Sequence, residues 1–300
     1  MTLLGSLVDG IATKSPLARP FLSRSVAGLS ETELGELERY LAHGLERGQT
    51  MADLVEAYDL ITKDTLREQM YFRRHGRYRF SRFDEVAASV YHAPEYMTRY
   101  MQGLALTSFL WPNHAAIRRW FDHTVLARGR GRYLEVGPGH GFYFMAAMRS
   151  GRFDAHLGVD ISETSVALTR ALVSSGAFGA FDGARWDLVR ADFFEAELDG
   201  PFDALVMGEV LEHVEDPRRF LQRARALTKP DATLFVTTCI DSPAFDHIFH
   251  FDSVESVHAI ARDAGLAVVE DLVLPYAGET LASSREKRLP INIALVLAHA

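Results

Sequence analysis

The segment Arg132 to Gly141, RYLEVGPGHG, constrains this chain more than any other. It joins a short apolar run to an acidic residue and three glycines at alternate positions. Tyr133, Leu134 and Val136 suit a buried strand, with Glu135 near its carboxyl end. Gly137, Gly139 and Gly141 let the backbone turn sharply against a ligand, and FYFMAAMRS continues as a helix from Phe142. Strand, glycine turn and helix open a nucleotide-type α/β site, in which ligands lie beyond the carboxyl ends of parallel strands.

From Gly131 onward, strands alternate with helices. AHLGVD gives a second strand ending in Asp160, WDLVRADF a third with Asp192 beyond its end, FDALVMGEV a fourth and ATLFVTTCI a fifth. LEHVEDPRRFLQRARALTK reads as a turn and helix, and DSVESVHAIARDAG as a helix ending at Gly265. LAVVEDLVL and INIALVLAH are the final strands, separated by a polar loop.

Residues 1–125 carry helical spacing instead. Ser30 and Glu33 form a capping box, Leu34, Leu37, Leu41 and Leu45 an apolar stripe, and Gly48 a stop. A second helix begins at Thr50 and continues towards Met70. The basic cluster Arg73, Arg74, His75, Arg77, Arg79 and Arg82 reads as a solvated helix end whose aromatic neighbours turn to the core. Pro112 breaks the helix at Trp111, leaving His114 either structural or presented to a cleft. The pattern predicts two units, an all-helical 1–125 and an α/β 126–300.

Composition narrows the setting. A net charge of −8 argues against a general affinity for nucleic acid or anionic lipid. The single cysteine, Cys239, excludes an intrachain disulfide and cysteine-rich zinc sites, and fits a reducing cytoplasm. No run is long enough to span a bilayer, and the amino terminus lacks a secretion-signal core.

The glycine turn follows GxGxG, with Phe142 where a dinucleotide site usually wants its third glycine. Glu135 would sit badly beside a pyrophosphate but well beside an ammonium and a sulfonium. That charge favours S-adenosylmethionine. Asp160 can accept hydrogen bonds from both ribose hydroxyls, and Asp192 from the adenine amino group with Phe193 beside the ring.

Through LEVGPGHG, GVD, RADFF and GEVLEHVEDP, in that order, residues 126–300 resemble the class I S-adenosylmethionine-dependent methyltransferases. The resemblance implies a Rossmann-like seven-stranded sheet with its last strand antiparallel. It implies that Glu135, Gly137, Gly139 and Gly141 cradle the methionine part, Asp160 the ribose, and Asp192 with Phe193 the adenine, while Glu209 faces the transferable methyl. It further implies that the amino-terminal helices form a lid over a small-molecule acceptor and a means of homodimerisation. YMTRYMQGLALTSFLWPNH and SPAFDHIFHF extend the similarity to natural-product enzymes that C-methylate α-keto acids.

Chemistry beyond cofactor binding falls on two segments. Glu209, Glu212 and His213 follow the fourth strand, and if that segment is helical Glu209 and His213 share a face. Asp241, Asp246, His247, His250 and Asp252 follow the fifth. His213 and His247 are the catalytic candidates, and Glu212, His213 and His247 are the candidate ligands of a divalent ion that would assist enolisation. The competing readings leave LEHV as helix packing and the later loop as a polar rim. Arg99 or Arg118 would meet a substrate carboxylate. An RNA or protein methyltransferase docking through the arginine cluster, a noncatalytic S-adenosylmethionine-binding protein and, more distantly, an NAD-dependent oxidoreductase are the alternatives.

Overall fold

A capping box at Ser30 opens one of the helices that cover the sheet. The Glu33 N–H donates to Ser30 Oγ (3.3 Å) and the Ser30 N–H to Glu33 Oε2 (2.8 Å). The computed structural model describes residues 2–181 and 183–300. Its amino-terminal helices are α1 (Leu3–Lys14), α2 (Arg19–Ala27), α3 (Glu31–Glu46), α4 (Met51–His75), α5 (Phe83–Ala87), α6 (Pro94–Leu110) and α7 (Pro112–Phe121). Glu33 also accepts from Arg119 Nε at 2.8 Å, so the carboxylate that caps α3 docks α7 as well.

α4 runs past Met70 to His75, where Gly76 ends it at φ 70° and three basic residues meet the exposed carbonyl end. Trp111 lies in extended conformation (φ −103°, ψ 120°) and Pro112 opens α7, the break expected from X-Pro sterics. Leu37 and Leu41 of the α3 stripe are buried in a core shared with the sheet layer, while Leu34 and Leu45 are half-buried. Leu37, Leu54, Leu106 and Phe109 pack in one cluster with Phe142, Met145 and Leu172.

The strands are β1 (Arg132–Val136), β2 (Ala155–Asp160), β3 (Arg185–Arg190), β4 (Phe202–Gly208), β5 (Thr228–Ile240), β6 (Leu266–Leu274) and β7 (Ile291–His299). They form one sheet in the order β3-β2-β1-β4-β5-β7-β6. β1 pairs parallel with β2 and β4, and β7 runs antiparallel to both β5 and β6. The chain order reverses between β1 and β4, which opens a crevice at their carboxyl ends.

Helices α8 (Phe142–Ser150), α9 (Glu163–Ser174), α10 (Pro217–Ala226) and α11 (Val254–Asp263) connect the strands. The segment expected as a polar loop before β7 contains a further helix, α12 (Leu281–Lys287). Thr280 caps it, and Ser284 is its one buried residue, so it carried no apolar periodicity to read. Among the described residues no helix is long and apolar enough to cross a membrane.

Replacing Ser30 by alanine should cost about 1 kcal/mol. Thermal denaturation should show a Tm about 2–4 °C lower.

Candidate active site

The glycine turn leaves β1 in a conformation that side chains disfavour. Gly137, Gly139 and Gly141 adopt φ of 68°, 54° and 82°. A Cβ at Gly141 would lie 2.9 Å from Thr169 Cγ2, and one at Gly139 would lie 3.2 Å from Met101 Sδ. The missing side chains keep open a backbone cradle at the start of α8.

Two acidic groups flank the cradle. Glu135 is 2% exposed and accepts from the Tyr133 hydroxyl at 2.6 Å. Burial pushes its carboxyl up to about 8, against the Tyr133 hydrogen bond. Asp160 is buried at the end of β2, where burial raises it to about 6 although the Ser162 and Gly139 N–H groups donate to it at 2.8 and 3.1 Å. Each Asp160 oxygen holds one of these donors and keeps capacity for another. Buried carboxylates resisting ionisation favour a cationic ligand, and the open cradle and spare acceptor capacity fit the methionine and ribose parts of S-adenosylmethionine.

Both acids line a cleft of about 1380 Å³, together with Gly137, Gly139, Asp192, Phe193, Glu209, His213 and His247. Gly141 lies behind the turn, against Thr169. Asp192 accepts the Phe194 N–H at 2.7 Å in the turn after β3. Phe193 is 4% exposed and packs on Phe220 at 5.5 Å, while the neighbouring Phe194, missed from sequence, also borders the cleft.

The segment after β4 departs from the expected helix. Glu209 sits at φ 52° and Leu211–His213 form a single 3-10 turn, so Glu209 and His213 do not share a helical face. Thr237 fixes Glu209 instead, accepting the Glu209 N–H (2.9 Å) and donating to its Oε1 (2.6 Å). The tight turn sends Glu212 inward, fully buried, with the Thr238 hydroxyl donating to Oε2 at 2.8 Å. Burial, reinforced by Glu209, drives the Glu212 carboxyl well above its usual range.

His213 meets His247 here, their ring centroids 4.8 Å apart and nearly perpendicular. His247 Nδ1 lies 2.6 Å from the Ser242 carbonyl oxygen, and His213 Nδ1 lies 3.1 Å from that of Asp246. A carbonyl only accepts, so Nδ1 is the donor in each ring. Burial, then the His213 charge, lowers His247 to about 4. Burial opposes ionisation of Asp246, but the two imidazoles and two tyrosine hydroxyls override it and hold the carboxyl below its usual range. Those hydroxyls belong to Tyr91 (3.0 Å) and Tyr100 (2.9 Å) of the helical region. Contacts across 155 and 146 residues leave no local trace in the sequence.

Glu212, His213 and His247 each offer a ligand atom, all within 4.8 Å of one another. Two imidazoles and one carboxylate are donor types that suit a borderline divalent ion. Glu209, Glu212 and Cys239 form a second such group, in which burial raises the Cys239 thiol as it raises Glu212.

The rest of the post-β5 cluster points elsewhere. His250 Nε2 lies 2.8 Å from Asp241 Oδ1, which also pairs with Arg288, and neither His250 nor Asp252 borders the cleft. Arg99 is exposed and off the cleft. Arg118 borders the cleft, its Nη2 paired with Glu36 (2.7 Å) and its guanidinium over Phe109 (4.1 Å), while its buried Nη1 has no hydrogen-bond partner. His114 does line the cleft, its Nδ1 3.0 Å from Thr107 Oγ1.

Residues 112–271, more than half of the chain, match the model of a family described as a methyltransferase domain. The chain belongs to that family. Its fold is that of the class I S-adenosylmethionine-dependent methyltransferases. A ubiquinone biosynthesis O-methyltransferase of Thiobacillus denitrificans is 31% identical over 121 residues, covering 40% of this chain and 49% of that protein. One of Stutzerimonas stutzeri is 27% identical over 177 residues, covering 52% and 73%. The chain thus spans about half the length of the first relative. The mitomycin 7-O-methyltransferase MmcR superposes with a TM-score of 0.51 at 17% identity, over 93% of this chain and 75% of that one. The [4+2]-cyclase SpnF superposes at 0.50 with 16% identity, over 63% and 82%. These structural likenesses establish the fold.

The raised Glu135 carboxyl gives a test. Between its ordinary 4.5 and about 8 the unfolded chain has Glu135 ionised while the folded chain keeps it protonated. Its stabilising contribution is therefore full below 4.5 and lost as pH rises through about 8. Glu135→Gln should raise the ligand-free Tm at about pH 8.5 by about 2–4 °C or more. Calorimetry should show S-adenosylmethionine binding weakened at least about tenfold.

Proposed function

We propose that this protein transfers the methyl group of S-adenosylmethionine to a small organic metabolite, by C-methylation of an α-keto acid assisted by the His213–His247 pair. The convergence of these two imidazoles beside the glycine-turn site carries the reading. In the cofactor half, Glu135 and the glycine turn hold the methionine part, Asp160 the ribose, Asp192 with Phe193 the adenine, and Glu209 borders the transferable methyl. A reducing, cytoplasmic setting belongs to the same proposal, and the single cysteine supports it.

Methyl transfer is a displacement at the sulfonium methyl, so the protein acts by aligning the attacking carbon opposite the leaving sulfur. A carbon beside a keto group becomes a nucleophile only after losing a proton. With no ion bound, His213 is the better base, because Asp246 lies 3.3 Å from its Nδ1 and stabilises the imidazolium. His247, held near 4, remains neutral and offers its Nε2 lone pair. Glu212, once ionised, completes with the two histidines a set able to hold a divalent ion. Bound there, such an ion supplies Lewis acidity that stabilises an enolate. Tyr91 and Tyr100 orient Asp246 and close the helical side against water.

Radiolabelled S-adenosylmethionine offered with a panel of α-keto acids should give a labelled carbon-methylated product. His213→Ala and His247→Ala should each lower the rate by about a hundredfold or more while calorimetric cofactor binding persists. A wild type that binds no S-adenosylmethionine defeats the proposal. Elemental analysis should find one divalent ion per chain, and a chelator should abolish turnover. Full activity in chelator without bound metal leaves His213 acting as base alone.

A further inference from the structure

The cleft continues well beyond the histidines. One face of α4, through Tyr58, Ile61, Thr65, Gln69 and Arg73 with Thr62, Leu66 and Met70 beside them, borders it. At helical rise this face spans about 22 Å from Tyr58 to Arg73. Its inner end lies against Trp111, whose indole N–H donates to the Tyr58 hydroxyl at 3.2 Å.

The outer end exposes large apolar side chains beside polar ones, among them Thr62, Asp64, Gln69 and Arg73. Leu17 (92% exposed), Met70 (61%), Leu66 (60%), Val269 (56%) and Tyr276 (47%) are the exposed large hydrophobic residues among those described. All but Val269 line this cleft. Scattered apolar residues need no explanation, but a concentration around one opening does. Phe21 and Pro290 extend the lining between them.

We propose that the outer channel binds an apolar chain, so that the acceptor is an amphiphile. Its polar reacting head lies at His213 and His247, and its hydrocarbon tail runs along α4 to Leu17 and Met70. The inference rests on the methyl-transfer reading for the head group alone. The channel is defined by its own walls and is tested without turnover. An apolar tail removes Leu66, Met70 and Leu17 from water and gains affinity with each methylene it buries.

Saturated fatty acids from hexanoate to tetradecanoate serve as probes, each below its micelle concentration, in calorimetry on the full chain with and without S-adenosylhomocysteine. Binding should be one to one, tightening at least about twofold per added methylene where full burial would give about fourfold. The double variant Leu66→Glu with Met70→Glu places good helix formers at exposed positions and should fold normally. It should lose the chain-length increment for the longer probes while hexanoate and S-adenosylhomocysteine bind as in the wild type. Affinity flat with chain length, or an increment unchanged in the double variant, overturns the proposal. So does a dimer in gel filtration that the double variant dissociates and that blocks the probes, because a second copy then occupies this face. Failure to bind S-adenosylhomocysteine alongside a preserved chain-length increment counts against methyl transfer and leaves the channel standing.

Discussion

The site depends on two buried carboxyl groups held beside a backbone turn of glycines. Glu135 and Asp160 end adjacent parallel strands, both shut away from water, and burial raises both carboxyls. Keeping them there costs folding free energy at neutral pH, and a cation can repay it by restoring ionisation. The left-handed turn from Gly137 to Gly141 lets such a ligand come close enough to do so. Charge and backbone therefore specify together what a glycine turn alone leaves open.

A second polar network joins the helical region to the sheet. Asp246 accepts hydroxyls from Tyr91 and Tyr100, orients His213, and lies next to the loop that supplies His247. Tyr78 adds another tie, its hydroxyl accepting the Ser242 N–H at 3.1 Å. The loop that positions the imidazoles is thus fixed from the helical side. α6 carries Tyr100 and also lines the cleft with Met97, Met101 and Leu104, so the histidine loop and the cleft wall rest on the same helix.

Much of the fold was legible in the chain. Ser30 and Glu33 announced a helix start, Pro112 a break, and alternating apolar runs a seven-stranded sheet, because capping and periodicity act within a few residues. α12 escaped notice because it buries only Ser284. At the site, the positions of Glu135 and Asp160 beside the glycine turn were readable from their places at strand ends. The geometry after β4 was not, because Thr237, 28 residues away, holds Glu209 at positive φ and replaces a helix with a tight turn.

Sequence by itself determined the class of ligand. An acid before GxGxG and an aspartate ending the next strand state the charge and hydrogen bonds required, and those are properties of residue type and local spacing. Tertiary structure decided which of the polar residues after β4 and β5 face one another. His213 and His247 converge while His250 and Asp241 turn to Arg288, and an apolar channel opens along α4. These are relations between segments far apart in the chain. They exist only once burial and packing have fixed how the helices lie on the sheet.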